Sequence, residues 1–166
     1  MGQRGSIFIN IQENVLIDDN FNVKLTDFGF ACKVPKDSKL RSLYGTQVYM
    51  APEVLKCGCD RNRSVRRSFQ INTHQNFSPG YSFPADIWSC GVLMAILLTG
   101  SSPFYHRREI VMLRSIMEAR YSMEGPDWAG ISKNAKILIK QMLTLDQSKR
   151  ITAQEVRFSK LYLVIN

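Results

Sequence analysis

The 166 residues carry 22 Lys and Arg against 14 Asp and Glu, a net charge of +8, with 45% apolar and 22% charged residues. That make-up is one ordinary globular domain and excludes a disordered tail, a collagen-like fibre and a disulfide scaffold. Four cysteines, Cys32, Cys57, Cys59 and Cys90, without a Cys-x-x-Cys pair point to a reducing compartment, here expected to be cytoplasmic.

Along the chain, Ile7, Phe8, Ile9 and Ile11 are interrupted by Asn10, Gln12 and Glu13, too broken for the apolar core of a secretory signal. Val15, Leu16 and Ile17, then an Asp/Asn cluster, then Val23, Lys24 and Leu25 predict a short β-hairpin. Thr26, Asp27, Phe28 and Gly29 follow, and after them a polar, irregular stretch to Ala51, Pro52 and Glu53. Residues 60–70 hold four Arg against one Asp with Phe69 as the only aromatic, which predicts a solvated basic loop. A nucleic-acid surface spreads basic groups over a face with stacking rings, so no nucleic-acid partner is expected.

From Pro84 the pattern turns helical, with Ile87, Trp88, Val92, Leu93, Ile96 and Leu97 ahead of a stop at Gly100. Its apolar residues run all round, which predicts a central, buried helix. It is too short and interrupted to cross a bilayer, which takes about 20 apolar residues, so no membrane partner is expected. Residues 107–120 present Ile110, Leu113, Ile116 and Met117, and residues 132–145 present Ile137, Leu138, Met142 and Leu145, as two amphipathic helices. Thr152 and Glu155 have the spacing of a capping box that opens a last helix. The expected fold is mainly α, a small β-hairpin with a central buried helix and others around it.

Asp27-Phe28-Gly29 after a strand, Ala51-Pro52-Glu53 beyond it, Asp86 at the start of the central helix, and Arg150 before the last one form an ordered set. Together with Glu13 and Asn14, it resembles the C-terminal lobe of eukaryotic protein kinases. Phrases such as those around Lys24, Tyr105, His106, Met112, Trp128 and Ile151 resemble the catalytic subunits of the phosphorylase kinase family, which are Ser/Thr kinases. The resemblance implies ATP and Mg²⁺ as cofactors, with Asn14 and Asp27 as metal ligands and Leu16, Thr26 and Asp27 on the nucleotide. It implies Ser42 and Thr46 in the activation segment, Glu53 and Arg150 as a buried ion pair, and Asp86 as a structural anchor. It implies glycogen phosphorylase as substrate, within glycogen metabolism, and regulatory subunits including calmodulin as partners. His106 reads as a surface residue of its loop.

The resemblance covers residues 13–155, with an unmatched insert near residues 57–78 and unmatched segments at 1–12 and 156–166. In the register of the family's catalytic loop, Ile9 stands at the catalytic Asp, Phe8 at the Arg and Ile11 at the Lys. Ile cannot accept or orient a proton, so no catalytic residue is intact and the isolated chain is expected to be inactive. The Gly-rich lobe of the family has no counterpart in residues 1–6, and the unmatched ends have codon possibilities that fit translated intron. Two readings follow, an inert piece of a Ser/Thr kinase and a pseudokinase-type binding or decoy module.

Overall fold

The computed structural model describes residues 5–6, 13–35, 38–42, 45–61 and 80–159, with the backbone alone for residues 5–6 and 58–61. Two antiparallel pairs of short strands precede the helices. Strand β1 (Gly5–Ser6) pairs with β4 (Cys32–Lys33), and β2 (Val15–Ile17) pairs with β3 (Val23–Leu25). The second pair is the predicted hairpin, with Val15 opposite Leu25, Leu16 opposite Lys24 and Ile17 opposite Val23. Its turn is tied by Asp18, whose Oδ1 accepts from the backbone N–H of Asn20 at 3.0 Å and of Asn22 at 2.9 Å. Short polar side chains that bond their own backbone are what make such a cluster turn.

A single 3₁₀ turn (Gln47–Tyr49) closes the stretch expected to be irregular, and helix α1 (Pro52–Arg61) follows, taking in the first two residues of the basic loop expected over residues 60–70. Helix α2 (Pro84–Thr99) is the centre of the fold, with Trp88, Val92 and Ala95 fully buried. Pro84 sits at its first positions, and Gly100 ends it at φ 77°, its N–H donating to Ile96 O at 2.7 Å. That left-handed φ costs a residue with a Cβ, so glycine is the natural stop. The helix is not buried all round as its composition predicted. Leu97 is 70% exposed and Cys90 and Leu98 are also exposed.

Helix α3 (Glu109–Met117) turns Leu113 and Ile116 into the core as predicted. A four-residue helix α4 (Pro126–Ala129) that the pattern did not announce seats Trp128 there. Helix α5 (Lys133–Met142) begins at Ser132, whose Oγ accepts from Ala135 N at 3.2 Å. Its buried stripe is Ala135, Leu138, Ile139 and Met142, while Ile137 and Leu145, expected inside, are 46% and 43% exposed. The stripe at i, i+3, i+4 and i+7 closes on Ala135, which rotates Ile137 to the surface. Helix α6 (Ala153–Arg157) carries the predicted capping box, with both reciprocal bonds between Thr152 and Glu155 formed. The described residues are mainly helical, with the core running from Tyr49 and Val54 through Trp88 and Phe104 to Ile139 and Leu143.

Candidate functional site

Hairpin pairing sets the first cluster. The N–H of Thr26 donates to Asn14 O at 2.9 Å, which extends the ladder one pair beyond β2 and β3. Asn14 and Asp27, thirteen positions apart in the chain, thereby come to the same end of the hairpin. Asp27 is exposed and takes φ 58°, a left-handed conformation rare for a residue with a Cβ and best tolerated by Asp and Asn. Its Oδ1 accepts from Gly29 N at 3.1 Å. A Cβ at Gly29 would stand 3.0 Å from that same oxygen, so glycine there keeps the carboxylate in place.

Both side chains offer oxygen, the ligand that hard cations require. Among the described residues no group of three or more His, Cys, Asp or Glu could hold a metal by itself. A Mg²⁺ ion here would therefore complete its shell with water and phosphate oxygens, as Mg²⁺ sites ordinarily do, and the donor set fits it on those terms. Leu16 and Thr26, expected against the nucleotide, are both open to solvent, Leu16 by 53%. Ile9 lies outside the described residues.

The segment after Gly29 returns to the helices through Leu40 and Tyr81, whose backbones exchange two hydrogen bonds of 2.9 Å. Gly80 makes that approach possible. Its φ is 90°, and a Cβ there would lie 2.7 Å from Lys39 Cβ and 2.9 Å from Leu40 O. The buried Tyr81 hydroxyl donates to Ser42 O, which fixes the backbone at Ser42. Thr46 is exposed at the start of the 3₁₀ turn, its carbonyl accepting from Tyr49 N at 3.1 Å. Ser89 Oγ on α2 then donates to Tyr49 O at 2.7 Å. Neither Tyr81 nor Ser89 was singled out from the sequence. A lone Tyr after Pro-Gly and a helical Ser carry no local signal of a contact 39 or 40 positions away.

Glu53 and Arg150 meet as an ion pair. Arg150 Nη1 donates to Glu53 Oε1 at 2.6 Å and Nη2 to Glu53 Oε2 at 3.0 Å, with both side chains buried. Arg150 Nε donates to Thr144 O at 3.0 Å, Nη1 also to Pro84 O at 2.8 Å, and Nη2 to Leu145 O at 3.5 Å. All five N–H groups of the guanidinium thus have acceptors, which offsets the cost of taking its charge out of water. The guanidinium carbon also lies 5.1 Å from the ring centroid of Trp88, which stacks on Phe104 at 5.4 Å. Asp86, in the first turn of α2, is half-buried and raises the Cys90 thiol after desolvation has already done so, together to about 11.

His106 is exposed in its loop, where its Nδ1 accepts from Arg108 N at 3.0 Å, a turn contact that agrees with a surface role. A groove of about 740 Å³ lies between α5 and α6, lined among others by Ile137, Gln141, Ile151 and Phe158. Of the predicted site residues only Arg150 borders it, so it is separate from the Asn14–Asp27 cluster. No helix among the described residues is long and apolar enough to cross a membrane.

The chain is 45% identical over 143 residues to the liver/testis phosphorylase b kinase gamma catalytic chain of Homo sapiens. That match takes in 86% of this chain and 32% of the relative. It is 34% identical over 149 residues to a probable serine/threonine-protein kinase of Dictyostelium discoideum, covering 87% of this chain and 18% of that one. A CDPK-related protein kinase of Daucus carota is 35% identical over 138 residues, 83% of this chain and 19% of its own length. The chain spans about a third of the length, or less, of the curated relatives it matches. The protein kinase domain matches residues 11–161, nearly the whole length, and the chain belongs to that family.

Proposed function

We propose that this chain is a helical-lobe portion of a Ser/Thr kinase of the phosphorylase kinase type, which carries binding and anchoring groups but does not transfer phosphate by itself. The observation that carries the reading is the hairpin end, where the Thr26 N–H bonds Asn14 O, which brings Asn14 and the next residue, Asp27, to the same end, and the Gly29 N–H donates to the Asp27 carboxylate. ATP with Mg²⁺ is the ligand this chemistry suits, and bound there the metal would neutralise charge on the phosphates. The chain's own residues would orient that ligand: Asp27 and Asn14 by their oxygens, Leu16 by an apolar contact with the base. Ile9, at the position of the catalytic Asp, has no group to position a hydroxyl or take its proton.

One wall of this kind supports weak, metal-dependent binding only, because a good small-molecule site buries about 70–90% of its ligand. Ser42 and Thr46 are the proposed activation-segment positions, and Glu53, Asp86 and Arg150 its anchors. Glycogen phosphorylase as substrate of the parent activity, regulatory subunits including calmodulin, and a cytoplasmic location belong to the same proposal, through the 45% identity to a phosphorylase b kinase chain. Incubating the purified chain with ATP, Mg²⁺ and phosphorylase tests it; no transfer above a blank is expected, and transfer would overturn it. The second reading, a binding or decoy module, is favoured by Ile9 together with the intact Glu53–Arg150 anchor. Capture of phosphorylase by the chain without nucleotide would select that reading.

A further inference from the structure

We propose that the groove between α5 and α6 is the docking site of the chain's own segment 160–166, with its apolar residues covering Ile137 and Phe158. This goes beyond the kinase reading and rests on the groove, on α6 and on the sequence that follows it. The groove, about 740 Å³ in volume, takes one stripe from each side. Ile137, Leu138 and Gln141 come from α5, and Glu155, Phe158 and Ser159 from α6 and its end. Positions three and four apart share a face of a helix, so two facing stripes make the walls.

Helix α6 has its capping box but little packing among the described residues. It is five residues long and none of them is buried. Helices this short are marginal in water and take most of their stability from a packed face. Phe158, which caps its end, is 66% exposed, and Ile137 across the groove is 46% exposed. The Ser159 Oγ is buried yet has no hydrogen-bond partner among the described residues. A buried hydroxyl left without a partner is destabilising, so this end of the groove calls for a polar group as well as an apolar cover.

The following sequence answers both needs. Phe158 and Ser159 line the groove, so the chain is already in it at the last described residue. Leu161, Tyr162, Leu163, Val164 and Ile165 then come in one uncharged, apolar run, which water disfavours. Seven residues reach about 20 Å when extended, and the wall formed by α5 is about 15 Å long, so the segment can span it. Its backbone carries donors and acceptors for the Ser159 hydroxyl. Tethered at the groove, the segment acts at a high effective concentration, an advantage that a second copy or a separate partner lacks.

Hydrogen exchange of the full chain, read by mass spectrometry, is expected to show protected amides in residues 160–166. Leu163→Asp should speed exchange there and in α5 and α6, while α2 keeps its rate. In denaturant unfolding, Leu163→Asp and Ile137→Asp should each lower the midpoint. The double change should lower it no further than the larger single one, because either charge already expels the segment. Leu97→Asp, outside the groove, should instead add its effect in full to that of Leu163→Asp. Residues 160–166 exchanging as fast as an unfolded peptide would overturn the proposal, as would additivity of Leu163→Asp with Ile137→Asp. A concentration-dependent dimer that Leu163→Asp dissolves would assign the groove to the segment of a second copy and overturn it too. Should Ile137→Asp unfold the chain, the exchange of α5 in Leu163→Asp decides. None of these readouts depends on ATP, so the kinase reading stands or falls separately.

Discussion

Gly91 on α2 lies so close to Met142 on α5 that a Cβ added to it would stand 2.8 Å from the Met142 Cβ and 3.0 Å from Leu143 Cδ2. The two helices pack against each other more extensively than any other pair among the described residues, and this glycine sets how closely they approach. Gly91→Ala is expected to destabilise the chain by about 1–3 kcal/mol, the usual cost of forcing extra atoms into a packed core. Denaturant unfolding checks it. An unchanged midpoint would mean that α5 slides away freely.

The Glu53–Arg150 pair joins the entry of α1 to the turn before α6. Removing one partner leaves a buried charge, and Glu53→Gln or Arg150→Met is expected to cost about 3–5 kcal/mol. The double change to apolar residues of similar volume should cost less than either single one, since no lone charge remains. Unfolding of the three variants side by side measures this. A double variant worse than both singles would argue that the five guanidinium hydrogen bonds matter more than the desolvation of the charges.

Asp18 holds the hairpin turn and thereby the spacing of Asn14 and Asp27. Its carboxyl titrates below the ordinary value of 3.8, chiefly because the backbone N–H of Asn22 donates to it, with further help from the Asn22 side chain, the Asn20 N–H and Lys24. A lowered value means that this contribution is present above pH 3.8 and is lost as pH falls through the lowered value. The Asn20 and Asn22 amide signals, followed by nuclear magnetic resonance, should move together with a midpoint below 3.8. In Asp18→Asn that titration should vanish.

Cys90 reaches the surface in part, yet desolvation first and the Asp86 carboxylate second push its thiol up from 9.0 to about 11. The thiolate is the nucleophile, so near neutral pH the native thiol should alkylate about 100-fold more slowly than in the unfolded chain. Site-resolved mass spectrometry after a timed pulse of iodoacetamide reads this directly. Asp86→Asn should recover the smaller part of the loss. Equal rates in native and unfolded chains would contradict it.

The hairpin was legible because two aliphatic triplets flank Asp18 and Asn22, and the limits of α2 because Pro84 and Gly100 act locally. The capping box at Thr152 was legible for the same reason. Burial was less so. Ile137 and Leu145 fit an apolar stripe as well as Ile139 does, and only the approach of α2 selects between them. Leu97 and Leu98 look like core residues in the pattern, yet they stand 70% and 41% exposed. The Asn14–Asp27 cluster and the Glu53–Arg150 pair were expected through resemblance alone. Contacts across 97 positions leave no periodicity behind, and Tyr81 with Ser42, which no resemblance suggested, went unread.

The bridge between Leu40 and Tyr81 has a consequence for how this lobe tolerates change. It clamps the two ends of a long excursion of chain, with Gly80 allowing the clasp to close. With φ at 90° and a Cβ placed only 2.7 Å from Lys39 Cβ, the clasp accepts no side chain at that one position. Tolerance to change therefore stops at residue 80, where any larger residue would part the two backbones and release the chain after the hairpin from the start of α2.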